Sequence, residues 1–340
     1  MEDVTAFFAD AENAVSSAEV KALIRRIAAA GEGAADLLPT LLRDTLLSDA
    51  ALQKSAKELL FSLFVLVLLY GAIKAAGGKA VPAAGGLISF LISSAAALPL
   101  YRILSRALLL QKEMNAFFGV FLPLAGGLLA YGGAPVSAAV FHTFFTMLLS
   151  ALQILLGALT PRILLIFYTL SLSGPLFADE KIERAAKYVK DALFSALALL
   201  SSICAIIIGV QTLMSVKTDA LSGRALRLLV AKAVPIVGST VSESLHLIGG
   251  GLLVVKNTVG GAAACFFLGL FLPMFLRLWF YSVFLGAADT ICDIGGLPCR
   301  SFFVYLRFAF QFCMAVMACQ FALCILNVGV FLGIPSAMSE

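Results

Sequence analysis

The sequence predicts an all-α protein: a polytopic helical bundle in a membrane, preceded by amphipathic helices. Two observations predict it. Of 340 residues, 61% are hydrophobic and only 13% charged, where a soluble domain carries about 25% charged residues. Charge is also absent from long stretches, over 59–73, 80–101, 114–161, 163–178, 192–216, 257–276 and 308–339. A globule this apolar could not cover its own surface, so lipid must be its solvent.

Residues 1–57 form the first unit, an N-terminal amphipathic helical segment. Val20, Ile24 and Ile27 recur at helical spacing, as do Leu37, Leu41, Leu42 and Leu46, and Gly31 and Gly33 separate the two patterns. Such helices lie on a membrane surface, dock on a partner or cap the larger domain. The opening MEDVTAFFADAENAVSSAEV has neither the basic n-region nor the apolar h-region of a signal peptide.

The polytopic membrane domain is expected over 58–335. A spanning helix needs about 20 apolar residues. The run 114–161 must therefore fold as two, with Gly132-Gly133-Ala134-Pro135 as the turn. Candidate spans fall near 58–75, 81–101, 115–131, 136–157, 162–178, 192–214, 258–285 and 303–333, some of them short. The expectation is about six to eight crossings.

Charge is divided between the units. Residues 1–58 hold ten acids and six bases, whereas the remainder holds eighteen bases and ten acids. A basic excess in short loops suits lipid headgroups, although no loop asymmetry fixes the orientation. It does not suggest nucleic acid, since no basic run is interleaved with exposed aromatics. The seven cysteines lie mostly in apolar runs, where a thiol acts as a small hydrophobe. Cys292 and Cys299 share the segment CDIGGLPC and could pair if it faces an oxidising compartment.

The segment 215–260 is too polar for a simple span and too apolar for a solvated loop. A basic amphipathic stretch carries Arg224, Arg227 and Lys232, then Pro235 interrupts it, and Gly249 and Gly250 follow. We expect a re-entrant or broken-helix element here, tolerated only inside protein or against a water-filled cavity. Leu122-Pro123-Leu124-Ala125-Gly126 resembles Val234-Pro235-Ile236-Val237-Gly238, a weak internal repeat around 115–160 and 225–285. Pro123, Gly126, Pro235, Gly238, Gly249 and Gly250 are the candidate hinges, since Pro/Gly-broken segments in matching halves point to transporter-like sites.

Ionisable residues in apolar context need a partner or a task. Glu243 and His246, with Ser239, Ser242 and Arg277, form a candidate polar path. The competing reading is structural: Glu243 pairs with a base, and Arg277 and Arg307 extend to headgroups. Glu243-x-x-His246 has a di-metal helix spacing but lacks the second copy such a site requires. No nucleophile elbow supports Ser242 with His246. Gly77-Gly78-Lys79-Ala80 lacks the earlier glycine and the following Ser/Thr of a phosphate loop. No catalytic, cofactor-binding or metal-ligating residue is therefore assigned, and no cofactor is expected.

The block 218–263 resembles the stage III sporulation protein AE family of endospore-forming bacteria. It carries Leu221-Ser222-Gly223-Arg224, then Val234-Pro235-Ile236-Val237-Gly238, then Val254-Val255-Lys256-Asn257-Thr258-Val259-Gly260. A second likeness is the Gly/Ser/Ala-rich segment from Gly132 and Gly133 through Ser137 to Phe141-His142. The similarity covers roughly 58–335. It implies a non-enzymatic transmembrane subunit of a secretion-like channel complex, or feeding tube, joining mother cell and forespore. Expected partners are other membrane proteins of the sporulation operon, including an ATPase and a ring-forming protein, together with the lipid bilayer and further copies of the chain. The expected location is the mother-cell membrane surrounding the forespore. Relatives often begin with a cleavable signal sequence, which MEDVTAFF does not resemble. The alternatives are a self-sufficient secondary transporter and a passive membrane scaffold.

Overall fold

The computed structural model describes residues 2–30, 65, 70, 81–132, 134–173, 180–233, 238–296 and 300–334, and leaves the side chains of 219–252 undescribed. Among the described residues the fold is helical throughout. Two short helices, α1 (Glu2–Ala14) and α2 (Ala18–Ala30), precede α3 (Val81–Tyr131). A short α4 (Pro135–Ala139) passes through a π-helical turn (Val140–Phe145) into α5 (Thr146–Ser173). Three long helices follow: α6 (Glu180–Ala233), α7 (Gly238–Gly295) and α8 (Arg300–Gly333).

Local chemistry sets the ends. Tyr131 closes α3, the Gly132 N–H still donates to the Leu128 carbonyl at 2.9 Å, and Pro135 opens α4. A proline suits a first helical position because its missing N–H would have no partner there. This is the turn expected from Gly132 to Pro135. At the end of α7, Gly296 takes φ 67° and its N–H donates to the Asp293 carbonyl at 3.1 Å. That left-handed position strains a residue with a side chain, and glycine adopts it freely.

The long helices run up and down. α7 and α8 are antiparallel, with Gly260 against Leu332, Phe271 stacked on Phe321 at 4.1 Å, and Gly286 against Arg307. α3 runs parallel to α8, the Gln320 amide donating to the Asn115 side chain and, at 3.4 Å, to the Gln111 carbonyl. Two apolar clusters are stacked along this axis. One joins Phe7, Val20, Ile24 and Ile27 of the N-terminal helices to Phe117, Phe121, Phe266, Phe267 and Phe331. The other gathers Ile88, Leu100, Phe167, Tyr281 and the Phe302–Phe312 stretch of α8.

Among the described residues, five stretches are long and apolar enough to cross a membrane: Gly85–Tyr131, Pro135–Ser173, Lys181–Met214, Leu253–Gly295 and Arg300–Gly333. The expected crossing near 58–75 falls almost wholly outside the described residues. Segments 81–101 and 115–131, expected as separate crossings, are one continuous helix, as 136–157 and the start of 162–178 are. The helix runs through Arg102–Glu113 with no reversal of the chain. The outward face of α6 fits lipid: Leu199, Ile203, Ile206, Val210 and Leu213 are 46–65% exposed at alternating four- and three-residue spacing, while Cys204 and Ile208 are buried.

Four of the candidate hinges lie within helices. Pro123 and Gly126 lie inside α3, and Gly249 and Gly250 lie inside α7. A proline inside a membrane helix is tolerated because neighbouring groups take up the freed carbonyl. Gly238 starts α7, while Pro235 falls in 234–237, outside the described residues. The segment 215–260 is thus helical on both sides of that four-residue interval.

Candidate functional site

The most specific local structure lies where the family-like residues of α7 meet the end of α8. Lys256 is buried at 5% exposure. Its ammonium donates to the Leu332 carbonyl at 3.1 Å and to the Ile334 carbonyl, and sits 5.7 Å from the centre of the Phe331 ring. The last carbonyls of a helix have no partner within it and carry its negative dipole end, so a lysine there both satisfies and neutralises them. One turn further on, a Cβ added at Gly260 would stand 2.4 Å from Leu332 Cδ2, so any larger residue there would force the Leu332 side chain to move. Asn257, between these two, is exposed. The Lys-Asn-x-x-Gly spacing thereby has a mechanical meaning. One face of α7 clamps the end of α8.

A second built feature was not foreseen. Glu113, 2% exposed, accepts from the Ser16 hydroxyl at 2.5 Å, the Ser17 N–H at 3.0 Å and the Ser16 N–H at 3.1 Å. These donors stand at the start of α2, where Ser17 is the capping residue and accepts from the Lys21 N–H at 3.0 Å. A carboxylate there satisfies orphan donors and complements the positive dipole end. Glu113 thus locks the α1–α2 corner onto α3. The signal was present in the sequence, because Glu113 is the only acid between residues 59 and 178. The N-terminal helices are also tied to each other: Arg25 Nη2 lies 2.5 Å from Glu12 Oε1, a bond that holds the Glu12 carboxyl below its ordinary range.

The proposed polar path is not assembled around Arg277. Glu243 and Arg277 lie on the same continuous helix, 34 residues apart, or about 50 Å at 1.5 Å per residue. Ser239, Ser242, Glu243 and His246 share its first turns, but their side chains lie outside the description. Arg277 instead faces α2 and α3, where Glu19, Arg26 and Arg106 line the same recess. Arg307 packs over Gly286, whose added Cβ would meet Arg307 Nη1 at 3.0 Å. Arg300 gathers Glu183, Asp289 and Asp293 at 3.4–3.9 Å, at the polar end of the bundle.

Of the remaining family-like positions, Gly132 and Ser137 are buried at the α3–α4 turn. His142 falls on the π-helical turn, a local overwinding of the chain, and its side chain is outside the description. Gly133, Ser222 and Gly223 also lie outside what is described of side chains or backbone. Cys292 is buried at the end of α7, and Cys299 is outside the described residues. Among the described residues, no three His, Cys, Asp or Glu side chains are grouped to hold a metal ion.

Continuous apolar helices, a lipid-facing stripe and a charged end together define a polytopic helical membrane protein. The chain belongs to the stage III sporulation protein AE family, whose family model matches residues 23–294. It is 25% identical over 189 residues to the stage III sporulation protein AE of Bacillus subtilis (strain 168). That alignment takes in 55% of this chain and 47% of the relative, so the chain spans about half the length of the curated relative it matches. No solved structure matches the chain.

Proposed function

We propose that the protein serves endospore formation as a non-enzymatic transmembrane subunit of a secretion-like channel complex between mother cell and forespore. It would sit in the mother-cell membrane and associate with the ATPase, the ring-forming protein and other membrane products of the sporulation operon. Family membership supports the role in sporulation. One observation favours a subunit over a self-sufficient transporter. Among the described residues the bundle axis is filled: Phe117 stacks on Phe266 at 3.7 Å, Phe271 on Phe321 at 4.1 Å, and Phe118, Phe121, Phe267 and Phe310 are all but fully buried. These packed aromatic layers fill the axis over the described residues. A conduit would then run between chains.

The test is affinity purification from sporulating cells of the native host in mild detergent, followed by mass spectrometry, alongside a clean deletion. Recovery of the operon ATPase and ring protein, with a sporulation block in the deletion, is the expected result. A chain reproducibly recovered without partners would count against the subunit reading, as would normal sporulation of the deletion strain. Solute flux through the chain alone in liposomes would then establish the transporter alternative.

A further inference from the structure

Four helices follow one another in a line at a single height of the bundle. Cys319 of α8 lies within hydrogen-bond reach of Ser201 in α6, and Phe321 of α8 stacks on Phe271 of α7 at 4.1 Å. Residues two apart in an α-helix point about 200° from each other around its axis, so α6 and α7 stand on opposite sides of α8. The same step recurs on α7. Phe271 faces α8, whereas Gly269 faces α2, where an added Cβ would meet Leu23 Cδ2 at 3.2 Å. The order is therefore α6, α8, α7, α2. α1 extends the outer layer by packing Phe7 on Phe117 of α3 at 5.7 Å, and Phe117 in turn stacks on Phe266 of α7.

The two outer surfaces of this slab suit different solvents. On the α6 side, Leu199 and Ile203 stand two residues either side of Ser201 and so turn away from α8; they are 62% and 46% exposed. Both lie inside the run 192–216, which is free of charge. On the α1–α2 side the exposed residues include Asp10, Asn13, Glu19 and Arg25. The Glu19 and Arg25 side chains are 73% and 72% exposed. Asp10 and Asn13 are bracketed by Phe7, which packs on Phe117, and by Ser16, which donates to Glu113, so their height is fixed. An arginine can extend from hydrocarbon toward headgroups, but aspartate and asparagine are too short to do so.

We propose that the bundle separates lipid from water at one depth: α6 meets hydrocarbon, while α1 and α2 line an aqueous passage. The inference rests on the reading that a conduit runs between chains, and it names the surface that each chain turns toward that conduit. Glu113, by locking the α1–α2 corner onto α3, then holds the polar lining in place.

The test uses the full chain in opened membranes of sporulating cells of the native host, where both membrane faces are wetted. A charged, impermeant methanethiosulfonate reagent is applied to Asn13→Cys, Ala22→Cys and Ile203→Cys, and labelling is followed by peptide mass spectrometry. A thiol in water ionises and reacts, whereas one in hydrocarbon stays protonated and inert. Positions 13 and 22 should label at least about tenfold faster than position 203. A phospholipid with a diazirine on its acyl chain needs no variant: on irradiation it should attach to α6 over 192–213 and spare α1 and α2. Equal labelling at the three positions overturns the proposal. Fast labelling throughout puts this height in water on all sides, and slow labelling throughout puts α1 and α2 out of water. Lipid attached to α1 or α2 overturns it as well. Loss of the partners in the affinity purification, with the labelling asymmetry retained, would defeat the subunit reading and leave the two-solvent slab standing. Partners retained with symmetric labelling would do the reverse.

Discussion

Replacing Glu113 by glutamine removes one charge and one acceptor while keeping the shape of the side chain. The carboxylate serves three donors at the α1–α2 corner: the Ser16 hydroxyl, the Ser16 N–H and the Ser17 N–H. Glutamine keeps one acceptor oxygen, but its amide nitrogen must face at least one N–H. Hydrogen bonds to a charged group are worth about 1.5–3 kcal/mol each, and part of that survives in the neutral contacts. The favourable term with the α2 dipole, about 0.3–1 kcal/mol, is also lost. The net loss is about 2–3 kcal/mol, which raises the undocked population of the N-terminal helices about 30- to 140-fold at 1.4 kcal/mol per decade. Amide hydrogen exchange in detergent micelles or nanodiscs reads this directly. Protection of 18–30 should fall by that factor, while the core of α8 over 308–330 keeps its wild-type rate. Apolar burial of Phe7, Val20, Ile24 and Ile27 still favours the docked state, so the helices loosen without detaching. Two results would refute the reasoning. A change within threefold at α2 means the carboxylate carries little of the docking. An equal loss across α8 means the effect is global.

Other consequences are accessible to the same preparations. Gly260→Val drives a branched side chain into Leu332 and should destabilise the bundle by about 1–3 kcal/mol; a lowered thermal midpoint, partly restored by adding Leu332→Ala, checks it. Lys256→Ala strips the Leu332 and Ile334 carbonyls of their buried donor and should weaken the end of α8 by about 1–3 kcal/mol, seen as faster exchange or proteolysis confined to the last turns. The Glu12–Arg25 bond depresses the Glu12 pKa, so its contribution is complete above the ordinary carboxylate range and disappears as pH falls through the lowered value. Protection of α1, the observed exchange relative to its intrinsic rate at each pH, should therefore hold steady while the carboxylate is ionised and fall once pH drops below the ordinary carboxylate range, and Glu12→Gln should abolish that step.

Helix type, apolar runs and the turn at Gly132–Pro135 were legible in the sequence because each rests on local composition: charge-free length, periodicity, a proline at a helix start. What was not legible is where one helix stops being a crossing. Arg102 to Glu113 reads as a loop between two spans because polar residues usually mark chain reversals, yet every residue there is a tolerable helix former and no glycine or proline breaks the run. Glycine and proline do not end the helix at Pro123, Gly126, Gly249 or Gly250, where the backbone continues as helix. The family-like Lys256 and Gly260 could be picked out as unusual residues, but their task required the carbonyls of Leu332 and Ile334, far along the chain. Glu113 was conspicuous as a solitary acid. Its partners at Ser16 and Ser17 belong to a separate helical unit that no spacing rule connects to it.

The length of α7 has one further consequence. Its 58 residues make a rod of about 87 Å, roughly three times the hydrocarbon thickness. Such a rod is a lever with lipid as its fulcrum. A tilt of a few degrees, allowed by ordinary bilayer elasticity, swings its ends by several ångströms. The end near Asp289 and Asp293, held to α8 by Arg300, and the collar at Lys256 would then move as one body with α8. A partner gripping that end could therefore transmit force across the membrane without any helix unfolding.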